Sequence, residues 1–364
     1  MIVLSHRIRI KSPTVKQEQY FRQAGGIARF AYNWGLEEWN RQYEAGQKPT
    51  AFALKKQFNA IKPTQYPWVF KVTKCAAEQA FVNLGQAFKR FVNGQGRYPK
   101  LKKKGVRDSF YLSNAQFQVA SNRIKIPKLG WVKLTESLRF SGTIQSATVS
   151  RTADKWFVSI SVQMATTPMT LSKNQAEKIG VDLGVTHLAT LSNGKTIEGR
   201  HPLKKLSRRL ARKQRHLASL TTGSNRHWRS KQQISRLHNR IRAIRLDSLH
   251  QLTHYLCQGF KVIGLEDLNV KGMMKNHKIA KAISDMGFYE LRRQLEYKAR
   301  LYGNWISIVD QWFPSSKTCS HCGYQPAELK LSERTYHCEQ CGLVLDRDLN
   351  AAINIERESI RLLA

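Results

Sequence analysis

The sequence predicts a multidomain α+β protein: a small β-barrel interrupted by helices in the N-terminal half, and a mixed-sheet α/β domain carrying a four-cysteine module in the C-terminal half. Three patterns predict this. Short runs of alternating apolar and polar residues flank a long helical stretch before residue 165. Apolar strands alternate with helices from Lys178 onward, and two CxxC pairs stand near the C-terminus.

Residues 2–10 alternate and form a first strand. Residues 15–92 are amphipathic and aromatic, with Phe30, Trp34, Trp39 and Tyr43 early and Ala80, Leu84, Phe88 and Phe91 late, so helices there pack on one another. The stretch GQGRYPKLKKKGVRDSF breaks the pattern with glycines and a proline. Its cations, Lys100, Lys102, Lys103 and Lys104 among them, suit an exposed phosphate-binding loop. Alternation returns over residues 110–163, most clearly at Trp156, Val158, Ile160 and Val162, giving the barrel strands.

The polar, patternless ATTPMTLSKNQAE marks a domain boundary. Beyond it come a strand at 179–183, an Asn193-Gly194 hairpin, a long basic helical region, a strand at 262–265, a helix over about 283–302 and a strand at 305–309. The cysteine module and a last helix follow. Strands leading into a mixed sheet, with helices on its faces and acids at strand ends, match a ribonuclease-H-like core.

Sixty-one Lys and Arg oppose 25 Asp and Glu, a formal charge of +36. A compact chain with that excess repels itself unless a polyanion neutralises it, and nucleic acid is the obvious one. No run reaches the roughly 18 consecutive apolar residues of a membrane span, and the start has no signal-peptide core, so a soluble, cytoplasmic protein with no membrane partner is expected. Two CxxC pairs in a reducing compartment point to a metal and not to disulfides.

Asp182 ends an otherwise apolar strand, Ile179-Gly180-Val181-Asp182, where an unpaired charge would be expensive unless a metal ion or a neighbouring cation sits beside it. Glu266 ends Val262-Ile263-Gly264-Leu265 in the same way, although Asp267 next to it can cap a helix. A third acid, Asp346 or Asp348, lies at the mouth of the last helix, where either can be a cap. Clustered carboxylates repel and are tolerated chiefly with divalent cations between them, which selects Mg2+ or Mn2+. Two such ions suit metal-assisted hydrolysis of a phosphodiester.

Cys319, Cys322, Cys338 and Cys341, in pairs separated by fifteen residues, have the spacing of a closed structural Zn2+ site, with His321 and His337 as bystanders. Residues 199–246 contain no acid and fifteen Lys and Arg, Arg208, Arg209 and Arg212 among them, interleaved with Leu206, Leu210, Ile234, Leu237, Ile241 and Ile244. One face of these helices packs and the other, cationic, suits nucleic acid. Trp228 and Tyr98 are candidates for stacking on bases.

GVDLGVTHLATLS, VIGLEDLNVKGMMKNHKIAKAISDMGFYELRRQLEYKA, FPSSKTCSHCG and YHCEQCGLVLDRDLNAAINI, in this order, resemble the TnpB family of insertion-sequence proteins. The N-terminal half matches more loosely, through AYNWGLEEWN and AFKRFVNGQGRYPKLKKKGVRDSF. The resemblance implies a RuvC-like nuclease, guided by an RNA from the transposon end and cutting double-stranded DNA beside a short target-adjacent motif. It implies a wedge β-barrel (1–14 and 94–166) with an inserted helical recognition domain (15–93), a linker (167–177), a RuvC-like domain (178–313 and 345–364) and an inserted zinc ribbon (314–344). The family's catalytic acids fall on Asp182, Glu266 and Asp348, with Asp346 the alternative third, and its zinc ligands on the four cysteines. Motif reading falls on the helix of Lys74 and Gln79, and the protein is expected as a monomer with its RNA. Competing readings are a nuclease-inactive RNA-guided repressor, which would have lost a carboxylate, and a strand transferase or transposase accessory.

Overall fold

The alternation of residues 2–10 becomes strand β1 (Ile2–Arg9), which buries His6 and Ile8. A computed structural model describes residues 2–165, 176–329 and 333–363, and the chain divides into two units, Met1–Thr166 and Thr167–Ala364.

In the first unit, Thr14 and Gln17 form a reciprocal cap, Gln17 N donating to Thr14 Oγ1 at 3.2 Å and Thr14 N to Gln17 Oε1 at 3.1 Å. It starts helix α1 (Val15–Glu44), which packs with α2 (Ala51–Gln65) and α3 (Cys75–Val92). The aromatics make the seam: Trp39 stacks on Phe88 at 4.0 Å, and Trp34 lies 5.1 Å from Phe58. Strands β2 (Ser109–Ser113), β3 (Gln118–Ala120), β4 (Arg123–Ile126), β5 (Gly130–Lys133), β6 (Thr143–Thr152) and β7 (Lys155–Met164) follow. They form two antiparallel sheets, β1-β7-β6-β2 and β3-β4-β5, joined where Ile10 bridges Leu134. Trp156, Val158, Ile160 and Val162 are all buried, as their period of two requires, and share a core with Ile8, Phe21, Phe110 and Ile124.

The described part of the second unit begins at β8 (Ala176–Asp182), so the strand starts earlier than the expected residue 179, and residues 167–175 of the expected linker, with residue 166 of the expected barrel, lie outside the described residues. Next come β9 (His187–Leu191), the Asn193-Gly194 turn, in which Gly194 N donates to Leu191 O at 2.9 Å, and β10 (Thr196–Glu198). Two long helices, α4 (Pro202–Ala218) and α5 (Asn225–Gly259), pair through Leu210, Ile234, Leu237 and Ile241. Strand β11 (Phe260–Glu266), short helix α6 (Val270–Met273), α7 (Ala280–Met286), α8 (Phe288–Tyr302) and β12 (Trp305–Val309) follow.

One helix was expected over 283–302, and the structure corrects this to two. Gly287 between α7 and α8 has φ +77° and lies against Arg245 and Leu249, a left-handed turn that an uninterrupted helix cannot contain. Just before it, Asp285, 4% exposed, accepts from Leu203 N and Lys204 N at 3.0 Å and from Arg245 Nη2 at 3.3 Å, tying the start of α4 to α5.

The sheet order is β10-β9-β8-β11-β12, with β8, β11 and β12 parallel and the β9-β10 hairpin antiparallel. Strand alternation divides its side chains. Ile179, Val181, Ile263 and Leu265 join one core with Leu249, Leu252 and Leu256 of α5 and Leu291 and Leu295 of α8. Hairpin β13 (Thr335–His337) and β14 (Val344–Asp346) leads into α9 (Arg347–Arg361), which packs on β8, β9, β11 and β12. Among the described residues no helix is long and apolar enough to cross a membrane.

Candidate active site

Strands β8 and β11 pair in parallel with Gly180 opposite Gly264 and Val181 opposite Leu265. Asp182 and Glu266 each come one residue later, so both acids stand at the carboxyl ends of neighbouring strands. Because successive strand residues alternate in face, both share the face of Gly180 and Gly264, opposite the core formed with α5 and α8.

That face is covered by α9. A β-carbon at Gly180 would run into the Ala352 carbonyl and lie 2.5 Å from Glu356 N, and one at Gly264 would lie 2.8 Å from the Ser359 side chain. Only hydrogen at these two positions lets the helix backbone approach the sheet so closely. Polar contacts pin the same helix: Ser192 Oγ accepts from Gly180 N at 3.0 Å and donates to Glu356, and Ser307 Oγ donates to Ser359 O at 3.1 Å. The sequence carries a signal for this that composition and hydrophobic period do not use, the repeated pattern Ile-Gly-Val-Asp at 179–182 and Ile-Gly-Leu-Glu at 263–266.

The docking carries the first turn of α9 toward the two acids and separates Asp346 from Asp348. Asp346 is exposed and caps the helix, its Oδ1 accepting from Asp348 N and Leu349 N at 3.0 Å. Asp348 is half-buried, and its charge acts on Asp182. Asp267, the other capping candidate, pairs instead with Arg292, and Asn269 caps α6.

Burial pushes the Asp182 carboxyl up to about 8, Glu266 and Asp348 push the same way, and Arg347 and the Leu183 amide pull it back. Burial also raises Glu266, against the hydrogen bond it accepts from Ser315 Oγ. Mutual repulsion of this kind is what a bound divalent cation relieves. Among the described residues the four cysteines are the group whose ligand atoms all lie within 4.8 Å of one another; the three acids do not close to that distance, and Glu266 and Asp348 act on Asp182 through their charge.

The cysteine knuckles meet face to face, with Cys319 Sγ 3.6 Å from Cys341 Sγ and Cys322 Sγ 3.5 Å from Cys338 Sγ. His321 and His337 stand outside the group. Four sulfurs at this spacing fit a tetrahedral metal ion with no open position. The segment entering the first knuckle is fastened to α9: Asn350 Nδ2 donates to Thr318 O at 2.8 Å, and Asn354 Nδ2 to Ser315 O at 2.8 Å and Thr318 O at 2.6 Å. Ser320 N donates to Asn350 Oδ1 at 2.9 Å. Sequence reasoning missed Ser315, Asn350 and Asn354, because a serine in a Pro-Ser-Ser turn and two helical asparagines have no pattern of their own.

The expected nucleic-acid cations are mostly exposed: Lys74 at the start of α3, Lys100, Lys103 and Lys104 in their loop, and Arg208, Arg209 and Arg212 on α4. Gln79 is half-buried and donates to Asn83. Lys102 is exposed too and has further contacts. Its backbone exchanges hydrogen bonds with Asn33, and its ammonium lies 3.8 Å over the Tyr32 ring, where desolvation lowers its pKa. Trp228 is exposed with Lys231 5.2 Å over its ring, while Tyr98 packs on Phe88 and Phe91.

Residues 158–277 match a family model described as "Probable transposase", residues 288–355 one described as "Cas12f1-like, TNB domain", and residues 1–48 one described as "Helix-turn-helix domain". Over 1–48 the structure itself has β1 and the single 30-residue helix α1. "TnpB-like protein L79" of Acanthamoeba polyphaga mimivirus is 30% identical over 134 residues, 35% of this chain and 25% of its own. "Putative RNA-guided DNA endonuclease InsQ" of Escherichia coli (strain K12) is 32% identical over 365 residues, 94% of this chain and 89% of its own. The chain belongs to the TnpB family.

A second relative of this TnpB-family chain, a "Putative RNA-guided DNA endonuclease" of Streptomyces pristinaespiralis, is 32% identical, covering 94% of this chain and 86% of its own. The fold is shared more widely. The solved "Cryo-EM structure of the Cas12f1-sgRNA-target DNA complex" contains a chain that superposes with a TM-score of 0.61 at 16% identity, covering 97% of this chain and 98% of that one.

Proposed function

We propose that this TnpB-family protein is an RNA-guided DNA endonuclease that hydrolyses phosphodiester bonds at a metal site made by Asp182, Glu266 and Asp348. One observation carries the reading. Two acids end paired parallel strands on one face, and the helix clamped onto that face over Gly180 and Gly264 presents the third.

Asp182, Glu266 and Asp348 would together hold two divalent ions, whose charge would offset the push that Glu266 and Asp348 exert on Asp182. Mg2+ or Mn2+, when bound, supplies an activated water and stabilises the leaving oxygen. The chain's part is to fix the acids on rigid strands and a docked helix, where a bound cation would favour their ionised form, and to bring the phosphate backbone in by cationic surface. No covalent enzyme intermediate is needed.

The four cysteines are read as a Zn2+ site that folds residues 314–344. The two antiparallel sheets of the first unit are read as a wedge barrel over 1–14 and 94–166, with helices 15–93 inserted as a recognition domain that places Lys74 and Gln79 toward a target-adjacent DNA motif. A linker (167–177) joins these to the nuclease domain over 178–313 and 345–364. The partners are a guide RNA from the transposon end and double-stranded DNA, bound by a cytoplasmic monomer with its RNA. Lys100, Lys102, Lys103 and Lys104, with Arg208, Arg209 and Arg212, contribute phosphate contacts, and Lys102 also ties its loop to Asn33. All three acids are present, which favours a nuclease over an inactive repressor.

The experiment is to sequence RNA that copurifies with the protein, then measure cutting of a matched double-stranded target with and without that RNA. Cutting that needs both the RNA and the matched target supports the reading. Equal cutting without RNA, or joined transposon ends in place of cut target, overturns it.

A further inference from the structure

We propose that Ser315 is a positioning residue for the metal site, its hydroxyl setting the orientation of Glu266 while α9 holds Ser315 in place. This rests on the assignment of Glu266 as a metal ligand.

Ser315 is 6% exposed and stands four residues before Cys319. Its Oγ donates to Glu266 Oε1, leaving the other carboxylate oxygen to turn toward a cation. A serine in a connecting segment would ordinarily sample several rotamers, and this one is fixed from behind. Asn354 takes its carbonyl at 2.8 Å, its own amide donates to Phe313 O at 2.8 Å, and Asn350 and Asn354 together hold Thr318 O. Asn350 and Asn354 are 0% and 4% exposed, so water does not compete for these bonds.

The same helix therefore does two things. Its first turn presents Asp348, and its next turns clamp the segment whose serine orients Glu266. Because that segment runs directly into the first cysteine knuckle, with Ser320 N bound to Asn350 Oδ1, the knuckle and two of the three acids are one mechanical unit. A carboxylate fixed by an outer hydrogen bond binds its ion with less lost freedom. Removal of such bonds costs about 10- to 100-fold in metal affinity.

The test uses Fe2+ as the probe in the full-length protein. With ascorbate and peroxide, bound Fe2+ cuts the polypeptide next to itself, and the fragments ending near residues 182 and 266 are quantified by mass spectrometry without any DNA present. For Ser315→Ala the Fe2+ concentration giving half-maximal fragmentation should rise by about tenfold or more. Ser315→Thr, which keeps the hydroxyl, should restore it. Ser315→Cys, nearly isosteric and a weak donor, should behave like the alanine variant and serves where that variant folds poorly. Zinc content and melting temperature are measured alongside to show that the knuckle is intact.

A wild-type Fe2+ dependence in both Ser315→Ala and Ser315→Cys overturns the proposal. So does a loss that Ser315→Thr fails to restore. Glu266→Ala separates this from the parent reading: if it too fragments like wild type, Glu266 is not a ligand and the metal-site assignment itself fails.

Discussion

Gly180 and Gly264 stand opposite each other on adjacent parallel strands, and the backbone and side chains of one helix, α9, rest on both. The pair sets the distance between sheet and helix, and with it the place of the third acid. Gly180→Ala should be the more damaging change, since its β-carbon runs into helix backbone at the Ala352 carbonyl and Glu356 N, whereas at Gly264 the nearest atoms are those of the Ser359 side chain and the Ile355 carbonyl stands back at 3.1 Å. Forced overpacking of this kind costs about 1–3 kcal/mol. The Gly180→Ala melting temperature should fall and target cleavage drop at least tenfold, with a smaller loss for Gly264→Ala. Equal, wild-type behaviour of both would mean that α9 does not depend on this approach.

Asp346 and Asp348 are two residues apart and should fail differently. Asp346→Ala removes a helix cap, costing about 1 kcal/mol of stability, and should leave cleavage measurable. Asp348→Ala should abolish cleavage while leaving the melting temperature equal or higher, because one of the charges repelling Asp182 is gone. Thermal melts and a cleavage assay on both variants decide between them.

The acid trio predicts a pH dependence. Asp182, ordinarily ionised above pH 4, is held protonated up to about 8 in the metal-free fold. The folded state thus binds a proton that the unfolded state has released, and this group's contribution to stability falls as pH rises from about 4 to about 8. Metal-free protein should melt at a lower temperature at pH 8.5 than at pH 6.5, by more than Asp182→Asn does over the same range. Saturating Mg2+ should shrink the difference, since the ion favours the ionised carboxylate. Identical pH slopes in wild type and Asp182→Asn would contradict the burial of this charge.

Asp285 anchors the basic helices α4 and α5 instead of the chemistry. Asp285→Ala leaves Arg245 and two amides at the start of α4 without their acceptor, so unfolding should ease by on the order of 3 kcal/mol. Chemical denaturation measures this directly. An unchanged midpoint would show that α4 is held by its apolar seam alone.

How much of this was legible in the sequence depends on whether a residue's role leaves a local pattern. Asp182 and Glu266 were legible because an acid closing an apolar strand conflicts with burial, and the conflict is visible in four letters. The cysteines were legible from spacing alone. Asp346 and Asp348 were not separable, since both sit at a helix mouth and only the cap hydrogen bonds distinguish them. The break at Gly287 was hidden inside a continuous helical period, because one glycine in such a run reads as tolerable until Arg245 and Leu249 are seen against it. Lys102 read like its neighbours in a basic loop, and its engagement with Asn33 and Tyr32 is a contact across about seventy residues that no local period encodes. Ser315 lay deepest, as its meaning is entirely in what it touches.

The most direct measurement is anomalous diffraction from crystals of the RNA-bound protein grown in Mn2+. Peaks between the Asp182 carboxylate and those of Glu266 and Asp348, lost in Asp182→Ala, are the predicted result. Mn2+ bound elsewhere with those three side chains free of it, in a protein that still cuts its target, would contradict the account.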